Sequence, residues 1–249
     1  MLARVADRLK LYVLPASHPC RAVERALELK GLAFERVVEL PLVHMVRQQV
    51  RFGRRTVPGM TFSDGTRVVG SRPIMRVLEG LEPQPPLLPS DGAQRARVEA
   101  AEAWGDQVFQ PLGRRIPWTA FARAPGALVS YAEGSDLPLP LGLVARAAGL
   151  VIALERIVNW ASADAVAADL QALPGHLDRV DAWIAEGVIG GLQPNVADLQ
   201  LLSTVRLLAT LGDLAPLIDE RPAGAKAREL FPSYAGAVPA GALPAEWLP

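Results

Sequence analysis

The chain is poor in the groups that cross-link proteins or hold metals. Its single cysteine, Cys20, excludes an internal disulfide, and three scattered histidines with no second cysteine make no metal-ligand spacing, so no metal is expected. An excess of either charge is also missing. Lys+Arg and Asp+Glu stand at 26 each, which leaves no electrostatic footprint for nucleic acid or for an anionic membrane surface. Lysine occurs only at positions 10, 30 and 226, so nearly all the basic residues are arginine. No long uninterrupted apolar run is present. The most apolar stretch, 137–154, contains Pro138, Pro140 and Arg146 and is followed by Glu155-Arg156, which argues against a membrane span and for a buried core helix. Arg4, Asp7, Arg8 and Lys10 precede any apolar run, so no signal peptide is expected and a cytoplasmic location is.

What is present is ample apolar material. Half of the 249 residues are hydrophobic, enough for one large or two ordinary domains and too many for a disordered chain. Residues 9–14 read as a buried strand ended by Pro15. A helix follows, with Pro19 in its first turn and Gly31 as its C-terminal cap. Residues 34–40 return as a strand, completing a βαβ unit with parallel strands. Residues 42–52 suit a short surface helix ending at Gly53. Two short apolar runs then flank Asp64-Gly65, a hairpin signal because the tight turn needs positive φ. Ser71 is placed to cap a further helix carrying Ile74, Val77, Leu78 and Leu81.

The resulting order β-α-β-α-β-β-α is the thioredoxin-like arrangement, assigned to residues 1–82. The proline-rich segment 83–91 reads as a stiff linker. Beyond it, 92–249 shows no strand pattern and reads as an all-α domain. Its first helix is expected to stop at Pro111, Pro174-Gly175 to interrupt a later one, Asn195 to Asp198 to form a capping box, and the tail after Phe231 to be irregular.

Chemistry concentrates at Ser17-His18-Pro19-Cys20, a strand-to-helix turn where unpaired N–H groups and the helix dipole favour negative charge. A thiolate would be stabilised there, either a ligand's or that of Cys20. Serine in the first position removes dithiol redox chemistry; Ser17 can hydrogen-bond to a bound thiolate or serve simply as a helix cap. His18 reads as a solvated turn residue. The Val57-Pro58 step suggests a fixed turn whose preceding residue offers its backbone to an extended peptide, and Ser71 can receive a carboxylate at a helix N-terminus.

Taken with Thr56-Val57-Pro58-Gly59, Asp64-Gly65-Thr66, Gly70-Ser71-Arg72-Pro73-Ile74 and Asn195-Val196-Ala197-Asp198-Leu199, these motifs resemble the cytosolic glutathione S-transferase family over nearly the whole chain. The resemblance implies a thioredoxin-like N-terminal domain with a helical C-terminal domain, a homodimer, and a thiol as co-substrate. It implies Ser17 or Cys20 at the sulfur, Val57 at the cysteinyl backbone, Ser71 at the γ-glutamyl carboxylate and Arg54 or Arg55 at the terminal carboxylate, with Pro58 and Arg72 also among the thiol-binding residues. Trp104, Arg114, Trp118 and Phe121, with Arg115, are the candidates for a groove that holds a hydrophobic electrophile. Where the family commonly carries Glu or Gln before the serine, this chain has Gly70, so the implied thiol is glutathione or another low-molecular-weight thiol. Two other readings are a Cys20-dependent thiol-disulfide or deglutathionylating enzyme, and a non-catalytic protein of the same fold that binds ligands or proteins.

Overall fold

The computed structural model describes residues 9–249; the charged segment with Arg4, Asp7 and Arg8 lies outside the described residues. Strands β1 (Lys10–Val13), β2 (Glu35–Val38), β3 (Gly59–Thr61) and β4 (Arg67–Val69) form one sheet in the order β2-β1-β3-β4. β1 and β2 are parallel, whereas β3 runs antiparallel to both β1 and β4. Helix α1 (His18–Leu29) supplies the crossover between β1 and β2 and buries Cys20, Ala22, Val23, Ala26 and Leu27. Positive φ at Gly31 and Gly65 allows the turn after α1 and the hairpin between β3 and β4, where the Asp64 carboxylate accepts the Thr66 N–H at 2.8 Å. With α2 (Val43–Phe52) and α3 (Ser71–Leu81), this is the thioredoxin-like arrangement read from the sequence.

Two local readings are corrected here. Gly70, at φ 95°, is the cap residue of α3, and Ser71 is its first helical residue and caps nothing. Helix α2 buries His44 and Gln48 and turns Val46 and Val50 to solvent, at 68% and 83% exposure. Its inward face is set by Gly59, whose missing Cβ leaves room for Gln48 and Phe52, and by the packing of Phe52 edge-on against Tyr12.

Segment 82–91 leads into the helices. It is tied to the first domain by the buried Lys30 ammonium, which donates to the carbonyls of Glu82 at 2.5 Å and Pro85 at 3.0 Å and pairs with Glu79 at 2.8 Å. Helix α4 (Gly92–Trp104), capped by Asp91, continues through a π turn (Gly105–Phe109) into α5 (Gln110–Arg123). The expected stop at Pro111 is therefore absent. The π turn has already interrupted the i→i−4 ladder, so a residue without an N–H costs little in the first turn of α5. The remaining helices are α6 (Ala127–Ser130), α7 (Leu141–Val158), α8 (Ala163–Ala185), α9 (Val196–Leu208), α10 (Ala215–Asp219) and α11 (Pro222–Leu230). Helix α8 runs through Pro174 without the expected interruption.

Helix α9 is the axis of the helical domain and packs on α1, α4, α5 and α11. Its start is the capping box read from the sequence: Asn195 accepts from the N–H groups of Ala197 and Asp198, and Asp198 accepts from that of Asn195. Helix α7, drawn from the most apolar stretch, is mostly exposed rather than buried. Only Ala148, Ile152 and Glu155 are covered, and Leu150 and Ile157, with Trp160 just past the helix end, lie in solvent. Among the described residues no helix is long and apolar enough to cross a membrane. The tail after Phe231 is mostly irregular, and it returns Val238 and Leu243 to the core and sets the Tyr234 hydroxyl 2.6 Å from the Ala16 carbonyl, to which it donates.

Candidate active site

Parallel β1 and β2 leave the N-terminus of α1 open at the end of the sheet, and Ser17 occupies it. Ser17 is the cap residue of α1 by position, yet its hydroxyl bonds none of the helix N–H groups. It opens onto a cavity of about 720 Å³ between the domains. One wall is the 14–19 turn, residues 40–45 at the start of α2, and Arg55 to Val57; the other is mainly α5, α6 and α7. Across from Ser17, the Val57-Pro58 peptide bond is cis, and neither the N–H nor the C=O of Val57 has a hydrogen-bond partner among the described residues. An extended ligand backbone could take both.

The structure separates Ser17 from Cys20. The Cys20 side chain is 1% exposed, belongs to the core and does not reach the cavity. Burial pushes its thiol up to about 12, even though the Ser17 hydroxyl and the Leu14 backbone favour the thiolate. A thiol held protonated in this way is a poor nucleophile. Ser71 and Arg72 are likewise not brought to the cavity. The Ser71 hydroxyl, 4% exposed, donates to Gln200 Oε1 of α9 at 3.1 Å, and Arg72 pairs with Glu102 at 3.3 Å. Arg55 lines the cavity, whereas Arg54 and Pro58 do not.

On the helical side, Arg114, Trp118 and Phe121 line the cavity as expected. Arg114 donates to Gln110 Oε1 and has no carboxylate within ion-pair distance among the described residues. Trp104 does not line the cavity. It stacks on Phe109 and meets His176 and Trp183 edge-on, an aromatic cluster inside the helical domain. Arg115 is held by Asp169 through two hydrogen bonds of 2.6 and 2.7 Å.

Sequence reasoning missed several lining residues. His18, read as a solvated turn residue, is 3% exposed and lines the cavity; burial and the nearby Arg114 guanidinium drive it well below its ordinary value, so it is neutral at pH 7. It fits against α5 because Gly113 has no Cβ; one placed there would lie 3.1 Å from the His18 ring and 3.0 Å from Thr204. His44, Glu155 and Asn159 also line the cavity. For Glu155 the signal was present: it is the only acidic residue within the apolar segment 137–158.

Residues 11–86 match the family described as glutathione S-transferase, N-terminal domain. No curated protein matches the sequence significantly. Among solved structures, a glutathione S-transferase from Rhodospirillum rubrum is similar at 20% identity and a TM-score of 0.58, over 96% of this chain and 97% of that one. FzlA from C. crescentus is similar at 16% identity and a TM-score of 0.58, over the same shares of the two chains. A glutathione S-transferase from Methylobacterium radiotolerans, in complex with glutathione sulfonate, is similar at 19% identity and a TM-score of 0.50, over 88% of this chain and 94% of that one. Residues 11–86 thus match a glutathione S-transferase N-terminal domain, and the chain as a whole shares the two-domain fold of these solved structures.

Proposed function

We propose that the protein conjugates a low-molecular-weight thiol, glutathione or a related one, to a hydrophobic electrophile. The observation that carries this reading is the Ser17 hydroxyl, which caps none of the N–H groups at the N-terminus of α1 and opens onto a mostly apolar chamber lined by both domains. The hydroxyl would donate to the sulfur of the bound thiolate, and the N-terminal N–H groups of α1 would add their dipole. The thiol proton leaves to solvent through the open cavity. The sulfur lone pair then forms the new carbon–sulfur bond as the leaving group departs with its electron pair. Rate gain comes from holding the two reactants together and from stabilising the thiolate. Val57 supplies backbone partners for the thiol and Arg55 a cation for a carboxylate, with Trp118, Phe121 and Arg114 facing the electrophile. A relative of the same fold that holds glutathione sulfonate supports the thiol. The reading includes the homodimer and the cytoplasmic location expected from the sequence.

The test is calorimetric titration with glutathione and other small thiols, followed by conjugation of a chlorinated dinitrobenzene, with wild type and Ser17→Ala compared. Loss of this one donor should lower kcat/KM by about 10- to 100-fold. A wild-type protein that binds no small thiol would overturn the proposal.

One set of observations favours a second reading, a non-catalytic ligand-binding protein. Ser71 and Arg72 are engaged by Gln200 and Glu102, and Gly70 offers no side chain, so the γ-glutamyl end of glutathione would find few partners. Thiol binding without conjugation of any electrophile is the result that selects it. The Cys20-dependent reading has no comparable support, because the thiol is buried and protonated.

A further inference from the structure

The cavity wall formed by α7 carries a carboxyl group that the conjugation chemistry does not use. Glu155 is 4% exposed, lines the chamber, and is one of only three residues of its helix that are covered. Its Oε2 accepts from Asn159 Nδ2 at 3.0 Å, but its Oε1, also buried, has no hydrogen-bond partner among the described residues. Asn159 lines the same wall, and its amide also donates to the Glu155 carbonyl at 2.9 Å, which holds the pair in place at the end of the helix. Closing its own helix would need only one carboxyl oxygen. A buried acceptor left without a partner on the wall of a mostly apolar chamber is costly unless a ligand completes it.

We propose that Glu155, positioned by Asn159, is a specificity-determining group that selects an apolar, aromatic co-substrate bearing a hydrogen-bond donor, such as a phenolic hydroxyl. The assignment rests on reading the chamber as the site of the hydrophobic electrophile. Trp118 and Phe121 would contact the ring, while the donor group completes Oε1. The raised carboxyl agrees with this enclosure: burial pushes Glu155 above its ordinary value, and the Leu42 backbone N–H and the Asn159 amide oppose the shift. A molecule without a donor would leave the acceptor unpaired, and sites built to hydrogen-bond a hydroxyl discriminate strongly against analogues that lack it.

The experiment uses three unreactive probes, p-cresol, 4-methylanisole and toluene, with binding read from tryptophan fluorescence and calorimetry. Wild type should bind p-cresol at least about tenfold more tightly than 4-methylanisole, whose hydroxyl is capped. In Glu155→Leu that ratio should fall to about one, and in Glu155→Gln, which keeps a carbonyl acceptor, it should stay above that of the leucine variant. A wild-type ratio near one, or a preference that survives Glu155→Leu, overturns the proposal. Because the wild-type comparison needs no variant, a leucine variant that fails to fold leaves the test decisive. None of these measurements involves a thiol. Failure of conjugation with Ser17 intact would sink the transferase reading and leave the donor preference standing, and the reverse holds equally.

Discussion

Ser17 and Cys20 lie three residues apart on one helical turn, and their surroundings give them opposite chemical prospects. The serine hydroxyl makes no bond to the helix N–H groups and faces a cavity, whereas the thiol is packed among core side chains. Cys20 should therefore resist alkylation in the native protein, reacting at least about a hundredfold more slowly than after unfolding, and Cys20→Ala should leave thiol binding unchanged. Iodoacetamide kinetics with and without denaturant check the first, and calorimetry the second. Rapid native alkylation would return Cys20 to the list of candidate nucleophiles. The turn before them is held from a distant part of the chain. Ala16 sits at φ 55°, which non-glycine residues rarely adopt, and its carbonyl accepts the Tyr234 hydroxyl. Tyr234→Phe should cost about 1 to 2 kcal/mol in denaturant unfolding and weaken thiol binding, since the lost bond fixes the turn that carries Ser17. Unchanged affinity would show that the turn holds its shape without the tail.

At the scale of elements, the capping box of α9 was legible, whereas the cap of α3, the helical continuation through Pro111 and Pro174 and the inward faces of α2 and α7 were not. The box at the start of α9 follows from residue types alone, since Asn and Asp three apart satisfy one another's N–H groups. Its energetics depend on burial. Asp198 accepts the N–H groups of Gly190 at 2.6 Å and Asn195 at 2.9 Å, yet burial raises its carboxyl from 3.8 to about 6, with these donors and Lys226 pulling the other way. The folded protein thus holds the Asp198 proton more tightly than the unfolded chain does. Its contribution is fully present below about pH 4 and is lost as the pH rises through about 6, a change of about 3 kcal/mol. Denaturant midpoints from pH 4 to 7 should fall with this slope in wild type and lose that part of it in Asp198→Asn; identical profiles would refute the assignment. Gly105, at the start of the π turn between α4 and α5, is packed closely against α9. A Cβ on Gly105 would lie 2.8 Å from Leu201 Cδ2, so Gly105→Ala should destabilise by about 1 to 3 kcal/mol, measurable as a lower thermal midpoint. By contrast, the inward face of α2 and the exposure of α7 were misread. Both segments have the composition of packed helices, and nothing local says that Gln48 finds space over Gly59 while Leu150 and Ile157 find none inside.

At the scale of the whole molecule, polar groups buried between the two domains join them. The fully buried Glu102 of α4 pairs with both Arg76 and Arg72 of α3, and Ser71 bonds to Gln200 of α9. Ser71, expected at the γ-glutamyl carboxylate, and Arg72, expected at the thiol, thereby make domain contacts instead. Removing the shared acceptor should be felt by both domains. Glu102→Ala leaves the half-buried Arg76 guanidinium without a carboxylate and Arg72 with only the longer contact to Asp106 at 3.8 Å, and a loss of about 2 to 4 kcal/mol is expected in a single cooperative transition. Two separated transitions would indicate that the domains are stabilised independently of this contact.

Local sequence by itself determined the alternation of strands and helices in the first domain, the hairpin at Asp64-Gly65, the helix cap at Asn195, and the placing of Ser17 at a helix N-terminus. These follow from φ preferences, hydrogen-bonding capacity and hydrophobic period, which act over a few residues. Tertiary structure alone decided which of the candidate side chains share a cavity. It buried Cys20, gave Ser71 to Gln200 and Arg72 to Glu102, drew Trp104 into an aromatic cluster, and brought Glu155 from more than a hundred residues away to the chamber of Ser17. Such choices depend on which faces meet across the domain boundary, and that is set by packing between segments far apart in the chain.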